Sequence, residues 1–336
     1  MIVSLSLHYS DLIDKVENEF NINGVPFTYT ELRKLAIFIV GDEVHESFIE
    51  KVSKISDKIE VLSLKDLFKL SNSAFLSHKP IKINNNFITK EFFTIIAGPC
   101  TIETDNSLYE TAEFLSNKGV KFLRGGAYKP RKSPYTFQGL GKLGINMLKE
   151  ASQKYNMNIV TELLDIKGLD DAIKNSDIIQ VGARNMHNYP LLRALGKTDK
   201  TILLKRGLSA SIDEFLLAAD YILAGGNEKV ILCERGIKTF ENRYKSTLDL
   251  TAVSIIKRLS HLPIFVDPSH AAGDRNIVSD LAKAALAVGA DGLLIEVHSN
   301  PDCAICDGPQ SLTLTQFGDL YDDLTQLTEF FNKKLN

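Results

Sequence analysis

The chain has 336 residues, 44% of them hydrophobic and 24% charged, an ordinary globular composition with length enough for one large domain and a smaller one. A net charge of −3 gives no global basic field, which argues against nucleic acid or an anionic membrane surface as a partner. The start MIVSLSLHYSDL lacks the features of a signal peptide, no run of about 18 apolar residues occurs, and Cys100, Cys233, Cys303 and Cys306 are too few for a disulfide framework, so a soluble, cytoplasmic protein is expected.

In chain order, the first part predicts a strand over 2–7, an amphipathic helix over 10–21, strands over 26–29 and 35–40, a helix over 43–55 and a strand over 59–64. That order, strand, helix, strand, strand, helix, strand, is the order of a small α+β ferredoxin-like domain, expected over residues 1–70. Residues 71–91 are less regular, with Pro80 and with Asn84, Asn85 and Asn86 between IKI and FIT, and read as a linker containing a small hairpin.

From residue 92 to 336 short apolar runs alternate with helical patterns: FTIIA, KFL, IVTEL, IIQV, TILL, VIL, PIFV and GLLIEV. Runs so continuously apolar suit a parallel sheet covered by helices, and eight of them in about 245 residues predict an α/β fold of the (β/α)8 TIM barrel type. An open doubly wound sheet is the alternative that the count alone leaves. The polar residues favour closure. Cys100, Arg124, Glu162, Arg184, Lys205 with Arg206, Glu234 with Arg235, Asp267 with His270, and Glu296 with His298 fall at or just past the carboxyl ends of successive runs, which in a barrel form one mouth.

Two constellations carry chemistry. The stretch LRGGAYKPRKSPYTFQGLG, residues 123–141, sets Arg124, Lys129, Arg131 and Lys132 in a turn-rich loop suited to phosphate or carboxylate, although a solvated basic loop is the simpler reading of the cluster alone. Arg124, Lys129, Arg184, Lys205 and Arg235 would crowd the mouth from different strands, and their repulsion would be offset by a compact phosphorylated carboxylate, or by acids such as Glu162 and Glu234. The second set is Cys100, His270, Glu296 and Asp307. One thiolate, one imidazole and two carboxylates suit divalent Mn, Fe, Co or Zn, while each residue taken singly is more commonly structural. Cys303 and Cys306 have CxxC spacing with no second pair to complete a zinc site and read as ordinary thiols, a reversible disulfide to Cys100 being left open.

The strings IIAGPCTIET, LRGGAYKPRKSPYTFQGLG, TELLD, IIQVGARNM, ILLKRG, ILCERGIKTFE, VDPSHAAGDR, GLLIEVHSNP and CDGPQSL closely resemble the 3-deoxy-D-arabino-heptulosonate 7-phosphate (DAHP) synthases, a branch that also includes the 3-deoxy-D-manno-octulosonate 8-phosphate synthases. The resemblance covers the whole barrel and, more loosely, the residues before it. It implies condensation of phosphoenolpyruvate with erythrose 4-phosphate, the first step of the shikimate pathway to chorismate and the aromatic amino acids. Carried over residue by residue, it implies that Cys100, His270, Glu296 and Asp307 bind the divalent metal, and that Arg124, Lys129, Ala183, Arg184, Lys205 and Arg235 hold phosphoenolpyruvate. Arg131, Lys132 and Ser133 would receive the phosphate of erythrose 4-phosphate; Lys132 stands where the family usually places a hydroxyl residue. Lys129 is the expected proton donor, and Asp267, Glu162 or a metal-bound water is a candidate to activate the incoming water. The KPR run at 129–131 is the DAHP pattern, against the Asn-Arg-Ser-Ser type of the octulosonate enzymes, which use arabinose 5-phosphate. The ferredoxin-like unit resembles ACT-type regulatory domains and implies inhibition by Tyr or Phe at an interface between subunits, in a homotetramer. A non-catalytic barrel that binds a phosphometabolite is the reading outside catalysis.

Overall fold

Alternation at a period of two builds the first sheet. In this computed structural model, which describes residues 1–41, 44–131 and 133–336 without the side chain of Glu46, the amino-terminal elements are β1 (Ile2–Ser6), α1 (Ser10–Ile22), β2 (Phe27–Leu32), β3 (Leu35–Val40), α2 (Glu46–Ser53) and β4 (Glu60–Leu62). They form an antiparallel sheet of order β2-β3-β1-β4, the ferredoxin-like arrangement. The expected start of the second helix, Glu43, lies outside the described residues. Val3, Leu5, Phe38 and Val40 pack with Val16, Phe20 and Val52 of the two helices. Ile2 and Ile37, on the opposite face, join the apolar core that continues into the rest of the molecule.

The stretch after β4 is irregular and yet buried: Phe68, Leu70 and Ser71 are all inaccessible to solvent. Its backbone amides are satisfied by one side chain. The Asp220 carboxylate accepts from the N–H groups of Lys69 at 2.6 Å, Leu70 at 3.1 Å and Ser71 at 2.7 Å. A hairpin follows, β5 (Ile81–Ile83) and β6 (Asn86–Ile88), turning at Asn84 with φ +51°. Ile81, Ile83 and Ile88 insert among Ile96, Phe122, Val160, Ile178, Leu203, Ile231, Phe265 and Leu294. These are the inward-facing side chains of a barrel, so the hairpin stoppers its amino end. Cys233 belongs to the same cluster, where burial pushes its thiol up and it packs as a small hydrophobe.

The barrel strands are β7 (Phe92–Gly98), β8 (Phe122–Arg124), β9 (Asn158–Leu163), β10 (Ile178–Val181), β11 (Thr201–Lys205), β12 (Val230–Glu234), β13 (Ile264–Val266) and β14 (Gly292–Glu296). Neighbours pair in parallel in chain order, and β14 returns to β7 from Gly292↔Thr94 to Glu296↔Gly98, which closes the sheet and excludes the open alternative. Gly292 permits that closure: a Cβ there would lie 2.3 Å from the Thr94 carbonyl oxygen and 2.7 Å from the Phe265 ring. Helices α3 (Asp105–Lys118), α4 (Lys142–Tyr155), α5 (Leu169–Asn175), α6 (Tyr189–Gly196), α7 (Ile212–Leu223), α8 (Leu250–Leu259), α9 (Pro268–Ala272), α10 (Val278–Ala287) and α11 (Leu314–Phe330) surround it, and β15 (Lys334–Leu335) adds alongside β7. No helix among the described residues is long and apolar enough to cross a membrane.

Candidate active site at the carboxyl mouth of the barrel

Closure brings the strand ends together. Cys100 follows β7, His270 lies on α9 just past β13, Glu296 ends β14, and Asp307 sits in the loop to α11 at a left-handed φ of +51°. One donor atom from each lies within 4.8 Å of the others. Cys100 Sγ is 3.2 Å from Asp307 Oδ2, and His270 Nε2 is 3.3 Å from Glu296 Oε1. Bonds of about 2.0–2.3 Å place tetrahedral donors roughly 3.3–3.8 Å apart, so the cluster is of a size for one divalent ion. The imidazole is oriented for this. Its buried Nδ1 lies 2.8 Å from Asp267 Oδ2, although without a well-aligned hydrogen bond, which leaves Nε2 toward the cluster. Burial, with Glu296 adding to it, pushes the Cys100 thiol well above its ordinary value, while Lys129 and Arg124 act in the opposite sense. A divalent cation is the group that makes such a thiolate stable.

Two glycines let these segments approach. At Gly98, φ +146°, a Cβ would meet the Arg124 carbonyl oxygen at 2.2 Å, and at Gly126 it would meet the Cys100 carbonyl oxygen at 2.7 Å. The loop that starts at Gly125 is thereby laid against Cys100, and Lys129 Nζ reaches the Cys100 carbonyl at 3.0 Å and its sulfur at 3.1 Å. Burial works against the Lys129 ammonium, but Cys100 and Glu162 outweigh it and hold the pKa above the ordinary lysine value.

The expected cations divide into two kinds. Arg124 Nη1 donates to Glu296 Oε1 at 3.0 Å, and Lys205 pairs with Asp267, all four side chains being buried. Glu234 is taken by Arg206, at 2.9 Å, which also reaches Asp249 at 3.0 Å. Arg235 is held by neutral groups, Ser246 Oγ at 3.2 Å and the His270 carbonyl at 3.1 Å, and has no acidic partner among the described residues. Arg184 is exposed and makes no hydrogen bond or ion pair within the described chain. A cleft of about 410 Å³ opens over them, lined by Lys129, Arg131, Ser133, Glu162, Ala183, Arg184, Lys205, Arg235 and His270. Lys132 lies outside the described residues. Glu162 needs Gly182 beside it, where a Cβ would fall 2.1 Å from its Oε1. Asp267 is fully buried behind the cleft lining: burial pushes its carboxyl up, but His270 and Lys205 outweigh this and hold it well below the usual range.

Sequence reasoning missed Gln180, Thr136 and Lys245, which also line the cleft, and the role of Gln310. Gln310 lies within a quoted string, CDGPQSL, but Lys245 belongs to a long loop whose spacing carries no signal. All four cysteines are free thiols, with Cys306 buried and Cys303 exposed.

The signature of the DAHP synthetase I family matches residues 80–333. The chain belongs to this family. A phospho-2-dehydro-3-deoxyheptonate aldolase of Thermotoga maritima is 52% identical over 307 residues, 90% of this chain and 90% of the relative. A crystal structure of a DAHP synthase from the same organism superposes with a TM-score of 0.81 at 43% identity, covering 100% of this chain and 99% of that one. A 2-dehydro-3-deoxyphosphooctonate aldolase of Desulfosudis oleivorans is 30% identical over 253 residues, 70% of this chain and 90% of its own length. As a member of the DAHP synthetase I family the chain is an enzyme of the 3-deoxy-7-phosphoheptulonate synthase class, a transferase. The family match begins just before the hairpin and includes all eight barrel strands, leaving the first sheet outside it.

Proposed function

We propose that the chain condenses phosphoenolpyruvate with D-erythrose 4-phosphate and water to give 3-deoxy-D-arabino-heptulosonate 7-phosphate and inorganic phosphate. The observation that carries this is the four-donor cluster within 4.8 Å, set beside a cleft lined by Lys129, Arg131, Arg184, Lys205 and Arg235. Arg184 and Arg235, which no acid neutralises among the described residues, supply the positive charge that a phosphorylated carboxylate needs.

Carbon 3 of phosphoenolpyruvate bonds to the aldehyde carbon, water adds at carbon 2, and the bond from carbon 2 to the phosphate oxygen breaks. Cys100, His270, Glu296 and Asp307 would hold a divalent metal, which supplies Lewis acidity toward the aldehyde oxygen when bound. Lys129, buried at the cleft wall and charged at neutral pH, donates the proton that oxygen requires. Arg131 and Ser133, with Lys132, receive the second phosphate, and the KPR run favours the four-carbon aldehyde. Glu162 is the better placed of the two carboxylates to activate water: it lines the cleft and accepts no hydrogen bond from another described residue. Asp267, in contrast, is occupied by Lys205 and by the His270 amide at 2.9 Å.

The amino-terminal sheet, outside the family match, is the regulatory unit of this reading and binds Tyr or Phe between subunits of a homotetramer in the cytoplasm. Phosphate release is measured with erythrose 4-phosphate and with arabinose 5-phosphate, each with and without Tyr and Phe. Turnover of the four-carbon aldehyde alone, lowered by Tyr or Phe, is expected; preference for arabinose 5-phosphate overturns the substrate assignment, and indifference to both amino acids overturns the regulatory one. Exhaustive chelation is expected to abolish activity and added Mn²⁺ to restore it. Full activity in verified metal-free protein would sink the metal assignment.

A further inference from the structure

The long loop between β12 and α8 sends one side chain into the donor cluster. Lys245 Nζ lies 3.3 Å from Asp307 Oδ1 and 2.6 Å from Gln310 Oε1, and Gln310 Nε2 donates in turn to Glu296 Oε2. The ammonium has only protons to offer, so it fixes the orientation of the Gln310 amide: Oε1 must accept from it, and Nε2 is left to donate. A continuous chain therefore runs from the outer oxygen of one carboxylate to the outer oxygen of the other. The inner oxygens, Asp307 Oδ2 beside Cys100 Sγ at 3.2 Å and Glu296 Oε1 beside His270 Nε2 at 3.3 Å, are the ones turned into the cluster.

The fold is built to keep this bridge in place. The Lys245 amide donates to the Ala272 carbonyl at 3.1 Å and the Ser246 amide to the Ala271 carbonyl at 2.8 Å, stapling the loop to the helix that bears His270. Gly273, at φ +72°, leaves room for the lysine, since a Cβ there would lie 2.6 Å from Lys245 Cβ. Gln310 is only 2% exposed, so its amide has few alternative partners.

We propose that Lys245 and Gln310 are positioning residues of the metal centre, which by holding the outer oxygens of Asp307 and Glu296 fix the oxygen that each carboxylate presents to the ion. The proposal rests on the metal reading given above. Groups that orient metal ligands from behind are commonly worth about 10–100-fold in affinity.

The test is a Co²⁺ titration followed by the thiolate-to-metal absorption, with affinity read by competition against a chelator, in the full chain and in Lys245→Met, Lys245→Arg, Gln310→Met and the double methionine variant. Lys245→Met is expected to weaken Co²⁺ binding by about tenfold or more, and Lys245→Arg to restore most of it. The double variant should lose less than the sum of the two, because both changes break one chain. Thermal unfolding of metal-free Lys245→Met should match the parent, since this side chain is 40% exposed. Its kcat should recover more of the parental value at saturating Co²⁺ than at limiting Co²⁺. Gln310→Met carries the same expectation for Co²⁺ affinity, with a lowered metal-free midpoint because its amide is buried, so a folding defect in one variant leaves the other to decide. Parental Co²⁺ affinity in the folded methionine variants overturns the proposal, as does unchanged affinity with a raised KM for erythrose 4-phosphate, which would make Lys245 a substrate contact. A parent chain that binds no Co²⁺ overturns the metal reading itself, and this proposal with it.

Discussion

Arg184 and Arg235 belong to one cleft but are held differently, and substitution should separate them. Arg184 is exposed, so Arg184→Ala is expected to leave the thermal midpoint unchanged. It should raise KM for phosphoenolpyruvate by about tenfold or more, the worth of one charge-assisted hydrogen bond; an unchanged KM removes Arg184 from the substrate set. His261 makes a pH prediction away from the site. Burial lowers its pKa to about 4, against 6.5 for an exposed imidazole, and the hydrogen bond of 3.0 Å to the Leu70 carbonyl only partly opposes this. The unfolded chain therefore binds more protons between those values. Stability attributable to His261 is complete above the unfolded value, is lost as pH falls through it, and levels off near the folded value, a total of about 3 kcal/mol. The urea midpoint of the parent should fall from pH 7 to pH 5 more steeply than that of His261→Gln, and equal slopes would refute the assignment. Cys100, His270 and Glu296 were legible because a barrel turns strand ends into neighbours. Lys245 was not, because its position depends on where a long loop is stapled, and no periodicity encodes that.

At the scale of the elements, burial on both faces is what made the barrel readable. β10, β11, β12 and β14 are buried at every position, so continuous apolar runs mark them without alternation. The first sheet was readable for the opposite reason, because neighbouring residues such as Ile37 and Phe38 serve different cores. Closure was legible from the polar residues at the strand ends and not from the apolar runs, since it depends on contacts between the first and last strands. Gly292→Ala tests it. With 2.3 Å to the Thr94 carbonyl, the added methyl must part β14 from β7, at about 1–3 kcal/mol, read as a lowered thermal midpoint. A variant as stable as the parent would mean that the seam relaxes without cost. The buried stretch after β4 was equally opaque: its order comes from a single carboxylate far along the chain.

Across the whole molecule, two carboxylates of the barrel, Glu228 and Asp220, are among the contacts that hold the first sheet and its following segment. Arg33, at the β2–β3 turn, pairs with Glu228 at 2.9 Å, both side chains being partly buried. Asp220 carries more. Asp220→Ala strands three buried amide donors and should cost about 3 kcal/mol or more, while Asp220→Asn, which keeps one acceptor, should cost less; denaturant unfolding of both variants gives the comparison. Equal loss in the two would mean that the amides find other acceptors. The isoleucine stopper bears on traffic instead of strength. With Ile81, Ile83 and Ile88 filling one end of the barrel, molecules come and go through a single door. Lys205 and Arg235 are buried while Arg131 and Ser133 are partly exposed in the same cleft, so on the proposed reading the substrates are expected to queue, and an excess of the outer one should act as an inhibitor competitive with the inner one.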